Sequence, residues 1–427
     1  MKNKILKNIV IYAIIFVVML FAFCAGMVIT YALPNDRIQA HIAESKEIGL
    51  TPTGIPTVKG AQIDEFTDLL ILNTAMNKGK EENEGLLVRA FENSRYSLKN
   101  DDQAGALAAT IEEPGLYNNQ EYTRYWHGIQ TIMRPLLLFL NYQEIRYLFM
   151  FVMFMLFMLT VISIYKNFNL LHAMAFVLAM SAVCFFIVPM SVQFINVFAI
   201  AFIGVILVNV LYQLKKQNLY PYLFFIMGGL VVFFDLLTAP LLTLGIPLIY
   251  VVLLKNREKI EMKKILWEII KLSALWCIAY GTLFFSKWVI ASIVLHKDVI
   301  TAAFNQILYR ANGNELYPAT RWGAVSKNIK YLYNVPLFVI LTGITITWIV
   351  RMVKNRKPIK DCKIAILLIL VALYPYVWYC VCAGHSDMHP WFTYRVQAIS
   401  ILSILCAMIE TIDSSKSRNR GKFTWKK

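Results

Sequence analysis

The 427-residue chain is 58% hydrophobic and only 16% charged, and its mean hydropathy of +0.56 excludes an ordinary soluble domain and points to a polytopic membrane protein. Its formal net charge of +16 does not imply nucleic acid as a partner, because the charge is segregated. Residues 33–146 hold 11 Lys+Arg against 16 Asp+Glu, and the basic surplus lies in short hinges between apolar runs and in the last residues.

Apolar runs of about 20 residues suit a hydrocarbon core of ~30 Å. They predict spans over 8–32, 145–165, 170–190, 194–214, 219–238, 240–254, 265–285, 332–353, 363–383 and 392–412. The expected fold class is therefore an all-α membrane protein of about ten transmembrane helices with a large first extracellular loop containing juxtamembrane helices. The sixth run is short and flanked by Pro240 and Pro247, which predicts a broken or tilted element. Positive charge gathers at Lys2, Lys4 and Lys7, at Lys215-Lys216, at Lys255, Arg257 and Lys259, at Lys354, Arg356 and Lys357, and from Lys416 to Lys427. That bias places both termini in the cytoplasm, which an even number of spans also requires. Four segments follow: an N-terminal tip and first helix (1–32), an extracellular loop (33–144), a multi-helix transmembrane domain (145–412) and a basic tail (413–427) with affinity for anionic lipid. The first run is too long for a signal-peptide core and reads as an uncleaved anchor. None of the seven cysteines lies in the long loop, so no disulfide framework is expected there.

Early in the loop stands Gly60-Ala-Gln-Ile-Asp64-Glu65-Phe-Thr-Asp68-Leu-Leu. At helical period Ile63, Phe66, Leu70 and Met76 tend to one side, while Asp64 and Asp68 fall on one face at i,i+4. Like charges so placed repel by a few tenths of a kcal/mol, so a cation, a basic partner or a bound proton must offset them. This acidic helix is the leading candidate for chemistry.

Farther on, Trp126, Ile129, Met133 and Leu136 share a face from which Arg124, His127 and Arg134 are displaced, and Pro135 is placed to end one helix and open the next. This is the pattern of a helix lying in the membrane interface, or simply of a ramp leading into the second span. Asp235 falls within an expected span, where an ionisable group is costly and functional by default; pairing with a neighbouring basic residue is the plainer reading. Lys287-Trp288 comes at the outer end of the seventh span, where a snorkelling lysine is ordinary. A second outer loop carries Asn305, Gln306, Tyr309, Arg310 and Arg321-Trp322.

The ninth span ends in Cys382-Ala-Gly384-His385-Ser-Asp387-Met-His389-Pro390-Trp391-Phe392-Thr-Tyr394-Arg395. His385, Asp387 and His389 contain metal-ligand types, but His-x-Asp-x-His has no firm spacing precedent, and no metal site is assigned. Arg395 is well placed to bind an anion at the lipid surface, with Trp391, Phe392 and Tyr394 as an aromatic belt.

A short inner N-terminus, one span, a long outer loop with an Asp-Glu pair, interfacial helices and then many spans: this plan resembles the C-type (GT-C) membrane glycosyltransferases. The resemblance implies transfer of a sugar from a polyprenyl-phosphate-linked donor to a glycan or glycolipid acceptor of the cell envelope, on the outer face of the membrane. It makes Asp64, with Glu65 beside it, the loop acid, and the Arg124–Asn141 segment the second juxtamembrane helix. Asp64 stands some thirty residues beyond the first span and no soluble C-terminal domain follows, which departs from the family plan.

The chemistry fits these residues. Inverting transfer needs a carboxylate to take the acceptor's proton and cations against the leaving phosphate. Asp64 is the expected base, with Asp235 orienting the acceptor or replacing it. Arg395, Lys287, Arg134 and Arg124 are the expected phosphate partners, Arg being favoured for two-pronged contact. Trp126, His127, His385, His389 and Tyr394 are the expected substrate contacts. No cofactor is assigned, and a divalent cation at the loop acids is the one left open.

A transporter or flippase of lipid-linked saccharide is the main alternative. It should show ionisable groups at mid-depth and repeat symmetry between halves; here such groups cluster at the outer rim. A polysaccharide polymerase or ligase shares the donor but usually carries its largest outer loop late. A non-catalytic scaffold leaves the rim clustering unexplained. The Ile-, Lys-, Asn- and Phe-rich usage suggests a bacterial plasma membrane.

Overall fold

A computed structural model describes residues 2–48, 61–79, 84–98, 103–112, 118–315, 317–333, 335–355 and 362–411. The expected basic tail 413–427 and the Arg356-Lys357 hinge lie outside the described residues, as do parts of the loop. The described chain is almost entirely helical; its only sheet is a two-stranded antiparallel pair, Arg95–Ser97 against Asn118–Gln120, with Tyr96 opposite Asn119.

Each of the ten expected spans overlaps a helix among the described residues. Among the described residues seven are long and apolar enough to cross a membrane: Leu6–Tyr31, Tyr142–Asn167, Val192–Gln213, Gln217–Phe234, Met262–Leu295, Lys363–Val381 and Pro390–Thr411. The other three differ for local reasons. The expected 170–190 span stops as Leu170–Ala182, because Cys184 turns left-handed (φ 54°) and Pro189 lies in a 3₁₀ turn, Phe185–Met190. Leu242–Arg257 has 16 residues, about 24 Å of rise, less than the ~30 Å core; it is buried on all sides up to Leu254. In Val335–Asn355 the apolar part is the shorter stretch Val339–Arg351.

Polar contacts sort the helix ends into two sets. At one end Tyr222 reaches Asn8, Gln217 reaches Glu258, Arg257 donates to the Asn167 carbonyl, and Asn256 and His172 both meet Glu410. The first helix and the last described helix both have ends here. At the other end stands a polar unit built from the long loop: Asn35–Ile48, Glu65–Ala75, Leu86–Glu92, the small sheet, Gln103–Glu112 and Gln130–Leu136. Its core, including Ile42, Leu72, Met76, Tyr96, Leu107 and Met133, runs without a break into the bundle. Asn141 opens the next span with a reciprocal capping box, its side chain accepting from the Glu144 amide while Glu144 accepts from the Asn141 amide.

Met262–Leu295 has 34 residues, about 51 Å of rise, so it extends well beyond a ~30 Å core. Its last turns carry Lys287 and Trp288 against the loop unit. Two further helices, Val299–Asn312 and Arg321–Leu332, complete the same end.

Candidate functional site

The acidic helix forms where expected, over Glu65–Ala75, and Asp64 caps it, accepting from the Thr67 amide at 3.4 Å and the Thr67 hydroxyl at 2.5 Å. The two acids one turn apart have different fates. Asp68 accepts from the Tyr142 hydroxyl (2.7 Å), the Ser191 hydroxyl (3.1 Å) and the Val192 and Gln193 amides (3.1 and 2.9 Å). It therefore caps a second helix, Val192–Gln213, whose unpaired N-terminal N–H groups attract a carboxylate, and it pins the loop unit to the bundle. Burial lifts its carboxyl to about 6, against the pull of these donors and of Arg146.

Asp64 serves no second element. It is 3% exposed, and burial raises its carboxyl above the ordinary 3.8, although Thr67 and the nearby Arg395 charge oppose this. Among the described residues it has no ion pair. Glu65, half-buried at the first helical position, has none either.

Arg395 lies in the 3₁₀ turn Tyr394–Gln397, which opens the last span. It is 1% exposed. Nη1 donates to the Trp391 carbonyl (2.8 Å) and Nη2 to the Gln62 carbonyl (3.2 Å), two residues before Asp64. The guanidinium stacks over Phe194 at 4.2 Å and lies 5.0 Å from the Tyr394 ring, and its Nε is buried with no partner. Residues far apart in sequence thus form one centre: a buried acid beside a buried cation at the mouth of the bundle.

The segment leading to Arg395 is held by Asn328, which donates to the Ser386 carbonyl and accepts from Thr393, while Gln397 donates to the Asn328 carbonyl. In it His385 and His389 both meet Arg310, at 2.8 and 2.9 Å. Asp387 turns away to Lys327 at 2.6 Å, so the three residues considered for a metal do not converge. Burial, then the Arg310 charge, holds His385 well below the ordinary imidazole range and takes His389 down to about 4. An aromatic path joins the two centres: His389 stacks on Phe392 (5.2 Å), Phe392 lies 6.4 Å from Phe194, and Phe194 underlies Arg395.

Asp235 caps the helix Tyr220–Phe234, and both its oxygens accept from Thr238, by amide and by hydroxyl. It has no ion pair among the described residues. The turn it closes is a hub: the Leu237 carbonyl accepts from His385 Nε2 (2.7 Å), and the Phe234 carbonyl from Asn196 (3.3 Å). The Phe233 carbonyl takes the Gly128 amide at 2.8 Å. A Cβ on Gly128 would stand 2.6 Å from that carbonyl oxygen, so only glycine permits this docking.

Several other expected contacts are occupied by the chain itself. Arg134 is fully buried and donates to the carbonyls of Thr30, Leu33 and Ala75 and to Asn35, clasping the ends of the first and acidic helices. Burial takes its pKa down to about 10, so it stays charged. Lys287 does not snorkel: it is 0% exposed, its ammonium donates to the Phe91 carbonyl (2.7 Å), and it faces the Phe91 and Trp126 rings. Trp126 donates to the Leu283 carbonyl at 3.0 Å, and Tyr394 to the Val183 carbonyl at 3.1 Å. His127, left-handed at φ 56°, meets the Tyr122 carbonyl at 3.1 Å, and burial lowers it to about 3. Arg124 is half-buried against the Tyr122 ring at 5.3 Å, with its Nε unpaired.

The expected interfacial helix is thus a buried clasp. Only Gln130–Leu136 is helical, Pro135 sits within it, and Trp126, Ile129 and Met133 are at most 2% exposed. The apolar face meets protein, not lipid. Arg310 was expected only as one of the polar residues of the second outer loop, with no role; its signal was faint, one arginine at the end of an amphipathic helix. No family model, curated protein or solved structure matches the chain.

Proposed function

We propose that the chain is a membrane glycosyltransferase of the C-type plan, moving a sugar from a polyprenyl-phosphate-linked donor to a glycan or glycolipid acceptor at the outer face of a bacterial plasma membrane. The observation that supports this best is the Asp64–Arg395 centre. A buried carboxylate with raised proton affinity, tied to no second element, stands beside a buried arginine at the end of the bundle where the polar loops gather.

In the proposed reaction Asp64 takes the proton of the acceptor hydroxyl as its oxygen bonds to the sugar's C1. The bond from C1 to the phosphate oxygen breaks, its electron pair leaves on the lipid phosphate, and the anomeric configuration inverts. Cationic donors at the rim favour the charge that grows on the leaving oxygen. Glu65, half-buried next to Asp64, stands where a second carboxylate would meet the acceptor. Asp235, held by Thr238, keeps the rim turn in place rather than acting as base. The acid limb of the transfer rate then lies above the ordinary carboxylate pKa, because Asp64 must be ionised to accept a proton.

The test is chemical analysis of the surface polysaccharide in cells lacking the gene and in cells complemented with wild type or Asp64→Asn. A side sugar missing in the deletion and in the Asp64→Asn strain supports the transferase. Loss of the whole exported polymer favours the transporter, and an unchanged glycan contradicts both. A reporter fused after residue 100 should read as external.

A further inference from the structure

Arg310 ends the helix Val299–Asn312, and its Nη1 meets His385 Nδ1 and His389 Nε2 at 2.8 and 2.9 Å. Arginine only donates, so both ring nitrogens accept and both imidazoles are neutral. The protons are thereby fixed. His385 carries its proton on Nε2, which donates to the Leu237 carbonyl at 2.7 Å. His389 must carry its proton on Nδ1, an atom that is buried and has no partner. Arg310 Nε is also buried and unpartnered.

No carboxylate neutralises this cluster among the described residues. Asp387 belongs to Lys327, and both oxygens of Asp235 belong to Thr238. A positive charge and two buried N–H donors, Arg310 Nε and His389 Nδ1, are left unmatched, and a buried donor without a partner is unfavourable. Two unmatched donors and a cation with no acid beside it suit an oxyanion.

The setting narrows its source. The same helix leaves Phe304, Ile307 and Leu308 exposed by 51%, 43% and 60%, while Ala303, two turns before Arg310, is buried at 2%. Phe304 meets Trp288 of Met262–Leu295 at 5.9 Å, and that helix also leaves Phe285 and Ile293 exposed, so the two present an apolar surface of the kind a helix at the lipid interface requires. Gly384 sets the spacing: a Cβ there would lie 2.5 Å from the Tyr309 carbonyl oxygen and 3.1 Å from that of Arg310, so the two helices touch backbone to backbone.

We infer that Arg310, with His385 and His389, binds the phosphate of a lipid phosphate ester whose chain lies in the membrane. This rests on the proposed donor chemistry for its role, but binding is measurable without any transfer. Arg310 supplies the charge and fork geometry, and the two imidazoles position it.

The experiment uses the purified full chain in nanodiscs of phosphatidylcholine and measures binding of a polyprenyl monophosphate, the matching neutral polyprenol and inorganic phosphate. Polyprenyl phosphate should bind at least tenfold tighter than either control. Arg310→Gln should lose tenfold or more for polyprenyl phosphate alone, and Arg310→Lys, which keeps the charge without the fork, should lose less. Asp64→Asn should bind as wild type does, so loss of transfer with retained binding separates the two proposals. If Arg310→Gln misfolds, Gly384→Ala, which pushes the helices apart, should reproduce the loss. Wild-type affinity in a folded Arg310→Gln protein overturns the inference, and inorganic phosphate binding as tightly as the lipid overturns the membrane source.

Discussion

Four cations at the rim, two on each side, are treated in opposite ways. On the side built by the first helix and the long loop, Arg134 spends its donors on three backbone carbonyls and Asn35, and Lys287 sits between a carbonyl and two aromatic rings. On the side built by the last third of the chain, Arg395 and Arg310 keep a buried N–H each without a partner, and Arg310 leans on two neutral imidazoles. A cation that the chain satisfies is part of the scaffold. A cation that the chain leaves short of acceptors is open to a ligand, and Arg124 on the loop side, with its own unpaired Nε, shares that property. The acids repeat the contrast within a single helix: Asp68 is committed to four donors, Asp64 to Thr67 alone.

The largest effect expected from breaking the scaffold half is at Asp68. Asp68→Ala strands two hydroxyls and two helix-terminal amides and should cost about 3–5 kcal/mol, read as a fall in the midpoint of detergent or thermal unfolding. Arg134→Gln should cost about 2–4 kcal/mol, since buried carbonyls lose charged donors, yet leave transfer per folded molecule unchanged. Arg395→Gln should do the reverse, keeping most stability while raising the donor concentration needed about tenfold, a difference of ~1.4 kcal/mol. Should Arg134→Gln shift donor dependence more than Arg395→Gln, the division fails. Lys287→Met, an apolar replacement of similar length, should change stability by less than about 1.5 kcal/mol and keep transfer.

The smallest effect is on pH dependence. His127 is lowered from 6.5 to about 3 in the fold, so its contribution is complete above 6.5 and is lost as the unfolded chain takes up protons on acidification. Between pH 6.5 and 5.5 this should remove about 1 kcal/mol. His127→Gln, which keeps a donor for the Tyr122 carbonyl, should flatten that part of the stability curve.

Much of the scaffold was legible in the sequence because long apolar runs and helix caps are local signals. Seven of the ten expected spans fall on described helices long and apolar enough to cross a membrane, and Asp64 was placed at the right turn. What was not legible is long-range. Nothing near Asp68 announces that Val192 and Gln193 will bring their amides to it, and nothing near Arg134 announces the carbonyl of Ala75. Trp126, Ile129 and Met133 make an apolar face whether it meets lipid or protein, and periodicity cannot distinguish the two. Arg310 and His385 lie 75 residues apart, and their contact depends on Gly384 letting two backbones touch. The breaks at Cys184 and Pro189 show the opposite case, where a single backbone angle and one missing N–H shorten a run that hydropathy alone extends.

The most direct measurement compares neighbours on the acidic helix. Wild type, Asp64→Asn and Asp68→Asn are reconstituted in liposomes with a labelled polyprenyl-phosphate sugar and an acceptor glycan, and transfer is counted per folded molecule. Asp64→Asn should lose 10²-fold or more of the rate with its unfolding midpoint unchanged, while Asp68→Asn should be less stable yet still transfer. Full transfer by Asp64→Asn, or equal loss in both variants, would contradict the assignment of Asp64 as the base.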